Sequence, residues 1–390
     1  MEFPPFDHLR FYEGVHDVPL NISYSNIQGF TLGEFHKALP GNLDLNWTDE
    51  RGPPELRRLI ARRTRVPIER ILVTSGATEA NFLANAALVR PKDRVVVDSP
   101  IYSPLRDCAA GLGGDVIPVG RDCKSGWSLD LDRIQTAAGG KAKLLVFANL
   151  NNPTSSAIGR SEMRELADIA EECNGYVLVD ETFRELAFRR TPPSVAEFGP
   201  RMIALSTVTK LGGLGGLRVG WIVAHPQLIE RCKAVKDYTT ICGSSVSQEL
   251  ATWALRRWDF FRRRAKRILD GNRKLVEDAL DRMPSLHGEI PTSGTVMFPH
   301  SDVNVTKLTQ RLVRKYKTVI AEGRFFGLSD HFRLGLGGNA NELRRGLRNV
   351  RRALRDLVCP YKQQTQREGS ARVGIRTPVP RSEAWKSRPN

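Results

Sequence analysis

The chain has 390 residues, 59 Lys and Arg against 43 Asp and Glu for a formal net charge of +16, and 41% hydrophobic with 26% charged residues. That is ordinary globular composition, long enough for one large domain with an ample core plus a smaller one, and no apolar stretch approaches the roughly 20 residues that cross a bilayer. Six scattered cysteines without a Cys-x-x-Cys pair, and seven histidines without ligand-like spacing, speak against a disulfide framework or a metal site. The start Met1-Glu2-Phe3-Pro4-Pro5 lacks a signal-peptide pattern, so the cytoplasm is the expected compartment. The arginines gather in amphipathic stretches, residues 252–275 and 342–357, that read as solvated helix faces. Without a recognised binding motif they do not imply nucleic acid.

In chain order, residues 1–46 lack a long periodic segment and read as an N-terminal arm and part of a small domain. Over residues 47–275, β-branched runs alternate with helical patterns. This predicts an α/β domain with a mostly parallel sheet covered by helices on both faces, its ligands at the carboxyl ends of the strands. Ile71-Leu72-Val73 leads through Thr74-Ser75-Gly76 into an alanine-rich helical pattern to residue 89. A helix N-terminus offers unpaired N–H groups, so the amides of Ala77 and Thr78, with the Thr78 hydroxyl, can cradle a phosphate; an ordinary glycine turn is the alternative. After the strand Arg94-Val95-Val96-Val97 comes Asp98-Ser99-Pro100-Ile101-Tyr102, whose aromatic could pack or present its face to a ligand. The apolar runs 144–148 and 176–179 are predicted core strands, the first followed by Asn149-Leu150-Asn151-Asn152-Pro153-Thr154, the second ended by Asp180-Glu181-Thr182-Phe183.

The run Ser206-Thr207-Val208-Thr209-Lys210, continuing through four glycines to Arg218-Val219-Gly220, sets an amine and a guanidinium eight residues apart. Lysine can condense with a carbonyl as a Schiff base, while the hydroxyls of Thr207 and Thr209 and the fork of Arg218 can hold a phosphate dianion. The ligand this implies is pyridoxal phosphate; a flexible turn with a solvated lysine is the other reading of the run alone. A long helical region, 246–283, follows. Residues 276–360 then read as a smaller α+β domain, strand-like at 294–298, 318–320 and 332–336 and helical at 304–315, and residues 361–390 as a disordered tail.

Taken together, these segments resemble the class I and II aminotransferases, the fold-type-I pyridoxal phosphate enzymes, whose lysine signature is Ser-x-Ser-Lys-x-x-Gly-x-x-Gly-x-Arg-x-Gly. The resemblance covers residues 15–358. It implies pyridoxal 5′-phosphate bound by Gly76, Ala77, Thr78, Thr207, Thr209 and Arg218, with Tyr102 stacked on its ring and Asn152 donating to its phenolic oxygen. Asp180 would face the ring nitrogen, Lys210 would carry the imine and act as base, and Asn26, Asn152 and Arg333 would face the substrate, Arg333 on the α-carboxylate. Trp47 stands where many members place a tyrosine that reaches the neighbouring subunit's phosphate, which implies a homodimer with shared sites.

Two departures bear on the substrate. Phe183 replaces a common tyrosine, and Ser155 replaces the glycine of Asn-Pro-Thr-Gly. The resemblance implies transfer of an amino group between an α-amino acid and a 2-keto acid. Two alternatives remain: another reaction of the same cofactor, as in the capreomycidine synthase-like or threonine-phosphate decarboxylase-like branches, and a non-enzymatic regulator that keeps the fold.

Overall fold

Helix α1 (Asp7–Glu13) and the short strand β1 (Leu20–Asn21) precede the α/β body in the computed structural model, which describes residues 2–35, 38–46 and 48–358. The body runs α2 (Pro54–Thr64), β2 (Ile71–Thr74), α3 (Gly76–Leu88), β3 (Arg94–Ser99), α4 (Ser103–Gly111), β4 (Asp115–Gly120), α5 (Leu131–Ala138), β5 (Leu144–Ala148) and α6 (Arg160–Glu172). It continues with β6 (Tyr176–Asp180), β7 (Met202–Thr207), α7 (Thr209–Gly212), β8 (Gly220–Val223), α8 (Pro226–Lys236), α9 (Ser245–Arg256) and α10 (Trp258–Leu280).

Seven of these strands form one sheet in the order β2-β8-β7-β6-β5-β3-β4. All run parallel except β8, which pairs antiparallel with both β2 and β7. Apart from the edge strand β4, the strands are buried on both faces, and alternate residues sort to opposite sides, as the two-residue period of a strand requires. On one side Leu72, Val95, Val97, Leu144, Val146, Leu178, Ile203, Leu205 and Ile222 pack with α3, α4 and α8. On the other, Ile71, Val73, Val96, Leu145, Phe147, Val177, Val179 and Met202 meet α2, α6, α9 and α10. Each such side chain contributes about 1.5–3 kcal/mol by leaving water. The chain reversal at β8 comes from the glycine-rich run, which folds back without a long crossover helix. Arg257, at φ −111° and ψ 24°, divides the helical region expected at 246–283 into α9 and α10.

The remaining elements are β9 (Leu286–His287), β10 (Val296–Met297), β11 (His300–Ser301), α11 (Val305–Tyr316), β12 (Thr318–Val319), β13 (Ala321–Glu322), β14 (Phe332–Gly335) and α12 (Ala340–Val358). A three-stranded sheet, β10-β14-β13, and the pair β11-β9 lie here, and β1 joins β12 in parallel across almost the whole chain length. That pairing carries the N-terminal segment into contact with β14. Gly335 N–H donates to the Ile22 carbonyl at 2.8 Å, and Gln28 N–H donates to the Gly337 carbonyl at 2.7 Å. The approach needs glycine, since a Cβ at 335 would lie 1.9 Å from the Tyr24 carbonyl oxygen. Among the described residues no helix is long and apolar enough to cross a membrane. Trp47 and residues 361–390 lie outside the described residues.

Candidate active site

A cavity of about 290 Å³ opens at the carboxyl ends of the parallel strands, the place an α/β sheet reserves for ligands. Every described side chain singled out in the sequence reaches it or stands directly behind it. Asn26, Ala77, Thr78, Tyr102, Asn152, Asp180, Thr207, Thr209, Lys210, Arg218 and Arg333 line it, and Gly76 backs Arg218.

Lys210 sits in α7 immediately beyond β7. Its Nζ donates to Asn26 Oδ1 at 2.7 Å and to Ser25 Oγ at 3.0 Å, and it lies 5.6 Å from the centre of the Phe183 ring. Burial, then the charges of Arg333 and Arg218, lower the amine from 10.5 to about 8, against an opposing pull from Asp180. About a tenth of this lysine is therefore neutral and nucleophilic at pH 7, far more than of an exposed lysine. Asp180 ends β6 and is raised above the usual carboxylate range by burial, opposed by a hydrogen bond from Thr182 N–H at 2.9 Å and by Lys210. A carboxylate so desolvated favours a cationic partner.

At the other end of the cavity, α3 begins at Gly76 and presents the amides of Ala77 and Thr78. Thr207 and Thr209 place their hydroxyls 2.9 Å apart, Thr207 being anchored to the Val219 carbonyl at 2.6 Å. Arg218, at φ 53°, uses its guanidinium on the carbonyls of Gly215 and Ser75 at 3.2 and 3.3 Å. Gly76 has φ +81°, and a Cβ there would fall 2.5 Å from Arg218 Nη2. Two hydroxyls, helix N-terminal amides and a guanidinium converge here over a glycine that keeps the space open. These are the donors a phosphate dianion takes.

Tyr102 and Asn152 are set by a buried frame. Arg121 forms a two-point pair with Asp98, Nε to Oδ1 and Nη2 to Oδ2 at 2.7 Å each. Asn151 Nδ2 bonds Asp98 Oδ2 at 3.1 Å and the Pro100 carbonyl at 3.0 Å, tying the loop after β3 to the loop after β5. Burial pushes the Tyr102 phenol up to about 12, so it stays protonated. Ser155 adopts φ 62°, the left-handed conformation glycine takes most easily, and its hydroxyl donates to the Val296 carbonyl at 2.8 Å, offsetting part of that strain.

Arg333, on β14, is only 3% exposed. Its Nε and Nη2 donate to the Ser23 carbonyl at 3.2 and 3.0 Å, and Nη1 donates to Asn152 Oδ1 at 3.0 Å. The cation rests 5.0 Å from the centre of the Phe326 ring.

The sequence reading missed the wall that α1 supplies. Phe6, His8 and Tyr12 line the cavity, as does Ser25. His8 and Tyr12 are four residues apart and so share one helix face, but one such pair in a seven-residue helix is too little to mark it in the sequence. Away from the cavity, His287 and His300 are cross-strand partners that come with Asp302 to within 4.8 Å of one another, a grouping that linear spacing does not reveal.

The donor set fits pyridoxal 5′-phosphate: a buried lysine of lowered basicity for its aldehyde, a desolvated carboxylate for its ring nitrogen, and the cradle around Gly76 for its phosphate. The family described as aminotransferase class I and II matches residues 34–350. The capreomycidine synthase of Streptomyces vinaceus is 29% identical over 88% of this chain and 91% of its own length. The arginine–pyruvate transaminase of Pseudomonas aeruginosa is 26% identical over 88% of each chain. Among solved structures, a PLP-dependent aminotransferase from Streptococcus suis superposes with a TM-score of 0.86 at 26% identity, over 92% of this chain and 99% of that one.

Proposed function

Because the chain belongs to the class I and II aminotransferase family, whose members use pyridoxal 5′-phosphate, we propose that it is a transaminase moving an amino group between an α-amino acid and a 2-keto acid. The observation that carries this reading is Lys210, a buried amine lowered to about 8 in one cavity with Asp180, Arg218 and Arg333. The cofactor supplies an aldehyde carbon that exchanges amines and a ring that accepts the electron pair of a breaking α-bond.

This chain's residues do the rest. Thr207, Thr209, Arg218 and the amides after Gly76 hold the phosphate. Asp180 keeps a proton on the ring nitrogen through its charge. Arg333 turns from the Ser23 carbonyl and Asn152 toward the substrate carboxylate, a better partner because it is charged. Lys210 Nζ, once free, would take the α-proton and deliver it to the carbon that came from the cofactor's aldehyde, with Ser25 and Asn26 holding the amine in place between the two transfers. Phe183 brings no hydroxyl to the site, which leaves Asn152 to donate to the phenolic oxygen.

We also propose a homodimer with shared sites and Trp47 contributed across the interface. Support comes from Leu45 and Tyr238, exposed at 68% and 93%, large side chains that a subunit contact would cover.

Borohydride reduction of the yellow holoprotein followed by peptide mapping should label Lys210, and an unlabelled Lys210 overturns the reading. Incubation with an amino acid should yield its keto acid in step with the amination of an added acceptor. The 29% identity to capreomycidine synthase and the phenylalanine at 183 favour a second reading, an elimination or cyclisation at the same site. Product formed without any keto-acid acceptor would support it.

A further inference from the structure

His8 is 4% exposed, lines the cavity, and leaves its Nε2 buried without a hydrogen-bond partner. An orphaned buried nitrogen costs about 1–3 kcal/mol, so its presence beside a ligand cavity points to a ligand atom. The ring is held rigidly. It stacks on Phe325 with centres 5.0 Å apart and 14° between planes, meets Phe326 edge-on at 5.3 Å, and lies 4.7 Å from Tyr12. Burial first, then the charges of Arg333 and Lys210, lower His8 to about 3, so the imidazole is neutral throughout the physiological range.

The charges around it are already assigned in the reading proposed above, on which this inference rests. Arg218 faces the phosphate, Asp180 the ring nitrogen, Lys210 the aldehyde and Arg333 the α-carboxylate. Asp180 is the one carboxylate among the described lining residues, so a cationic side chain finds no free counter-charge, and an anionic one finds no free cation. Burying a charge without a partner costs several kcal/mol. A neutral imidazole, by contrast, satisfies a hydroxyl or amide as donor or acceptor according to its tautomer. Around it the α1 wall offers Phe6, Leu9 and Tyr12, with Leu105 opposite: apolar and aromatic surface for the carbon part of a side chain.

We propose that His8 determines specificity: its Nε2 hydrogen-bonds the side chain of the amino acid substrate, and that side chain is uncharged and carries a polar atom. His8 touches neither the cofactor's reacting carbon nor the α-proton in this assignment, so its effect belongs to substrate choice.

The test is equilibrium binding, read from the absorbance of the bound cofactor as the holoprotein is titrated with serine, glutamine, tyrosine, leucine, arginine and glutamate. The best of the three uncharged polar amino acids should bind at least about tenfold more tightly than arginine or glutamate. His8→Phe, which keeps the aromatic stack, should remove about tenfold of that amino acid's advantage over leucine. His8→Asn should restore part of it, and both variants should keep the wild-type cofactor spectrum. Arginine or glutamate binding as tightly as the best neutral amino acid overturns the proposal, as does an unchanged preference in His8→Phe. If no amino acid alters the absorbance of the wild type, the amino-acid reading of the cavity falls, and this inference with it. A preference for uncharged polar amino acids over leucine that survives in both variants overturns the role of His8 alone.

Discussion

The two walls of the cavity are built differently. The phosphate wall comes from short segments at the ends of neighbouring strands: Gly76 to Thr78 after β2, Thr207 and Thr209 around the end of β7, and Arg218 before β8. Its groups are fixed by backbone geometry and by bonds such as Thr207 to the Val219 carbonyl within one stretch, with a single long-range bond, Arg218 to the Ser75 carbonyl, joining that stretch to the start of α3. The substrate wall is assembled from α1, residues 24–26 and Arg333, held by contacts such as Arg333 to Ser23, more than 300 residues apart in sequence. A wall of local geometry suits a ligand that never changes, whereas a wall of long-range contacts can be altered one element at a time. Lys210 joins the two, its side chain bonded to Ser25 and Asn26 and its helix grown from the phosphate wall.

The strongest way to break this comparison is at the join. Lys210→Ala should lose about 10²- to 10⁴-fold or more in turnover, the scale of a missing general base, while keeping cofactor and amino-acid affinity within a small factor. Stopped-flow and steady-state rates check this. Turnover near the wild-type value would show that another group moves the proton.

A crossed pair separates the walls. Arg218→Ala should weaken cofactor binding by about 2–5 kcal/mol and leave the amino-acid preference of the reloaded protein intact, and Arg333→Ala should weaken amino-acid binding by a similar amount with the cofactor retained. Equilibrium dialysis of the cofactor and absorbance titration with amino acids read the two effects independently. If either variant loses both ligands equally, the walls are one cooperative unit.

Much of the large sheet was legible because its strands are apolar on both faces and alternate with helical patterns, and the phosphate wall was legible because its residues are contiguous. Thr207, Thr209, Lys210 and Arg218 fall in one twelve-position stretch whose chemistry reads directly as amine plus anion cradle. The reversal of β8 was not legible, since a glycine-rich run permits either a crossover or a return. Ser25 and His8 were not legible either. α1 is only seven residues long, too short for a hydrophobic period to register, and what brings residues 23–26 to Lys210 is the pairing of Leu20 and Asn21 with Thr318 and Val319. The glycine at 335 was visible in the sequence, but the chain it makes room for was not.

The join also predicts a pH signature. Lys210 is lowered from 10.5 to about 8 in the folded protein. Between those values the unfolded chain binds the proton that the folded chain has released, so stability rises with pH across that window and is flat below it. The sign is opposite to that of a lysine stabilised by an ion pair. Urea midpoints of the cofactor-free protein, measured from pH 7.5 to 10 against Lys210→Met, should diverge upward for the wild type, isolating this group from Lys236, which burial also lowers. A wild type that loses ground to Lys210→Met over the same range would mean that the substrate wall holds the lysine charged.

The smallest effect concerns the boundary between the walls at Phe183, 3% exposed, with its ring centre 5.6 Å from Lys210 Nζ. A tyrosine there would bring a hydroxyl able to donate to the phenolic oxygen and so stabilise the deprotonated imine. The ring face that favours the protonated nitrogen is common to both residues. The hydroxyl alone makes the difference, so the wild-type imine should hold its proton to higher pH than Phe183→Tyr does, by about one unit for one hydrogen bond of ordinary net strength. Spectral titration of the two holoproteins reads this directly. Identical titration curves would mean that Asn152 and the phosphate wall alone set the proton affinity of the imine, and that residue 183 belongs to the substrate side of the cavity.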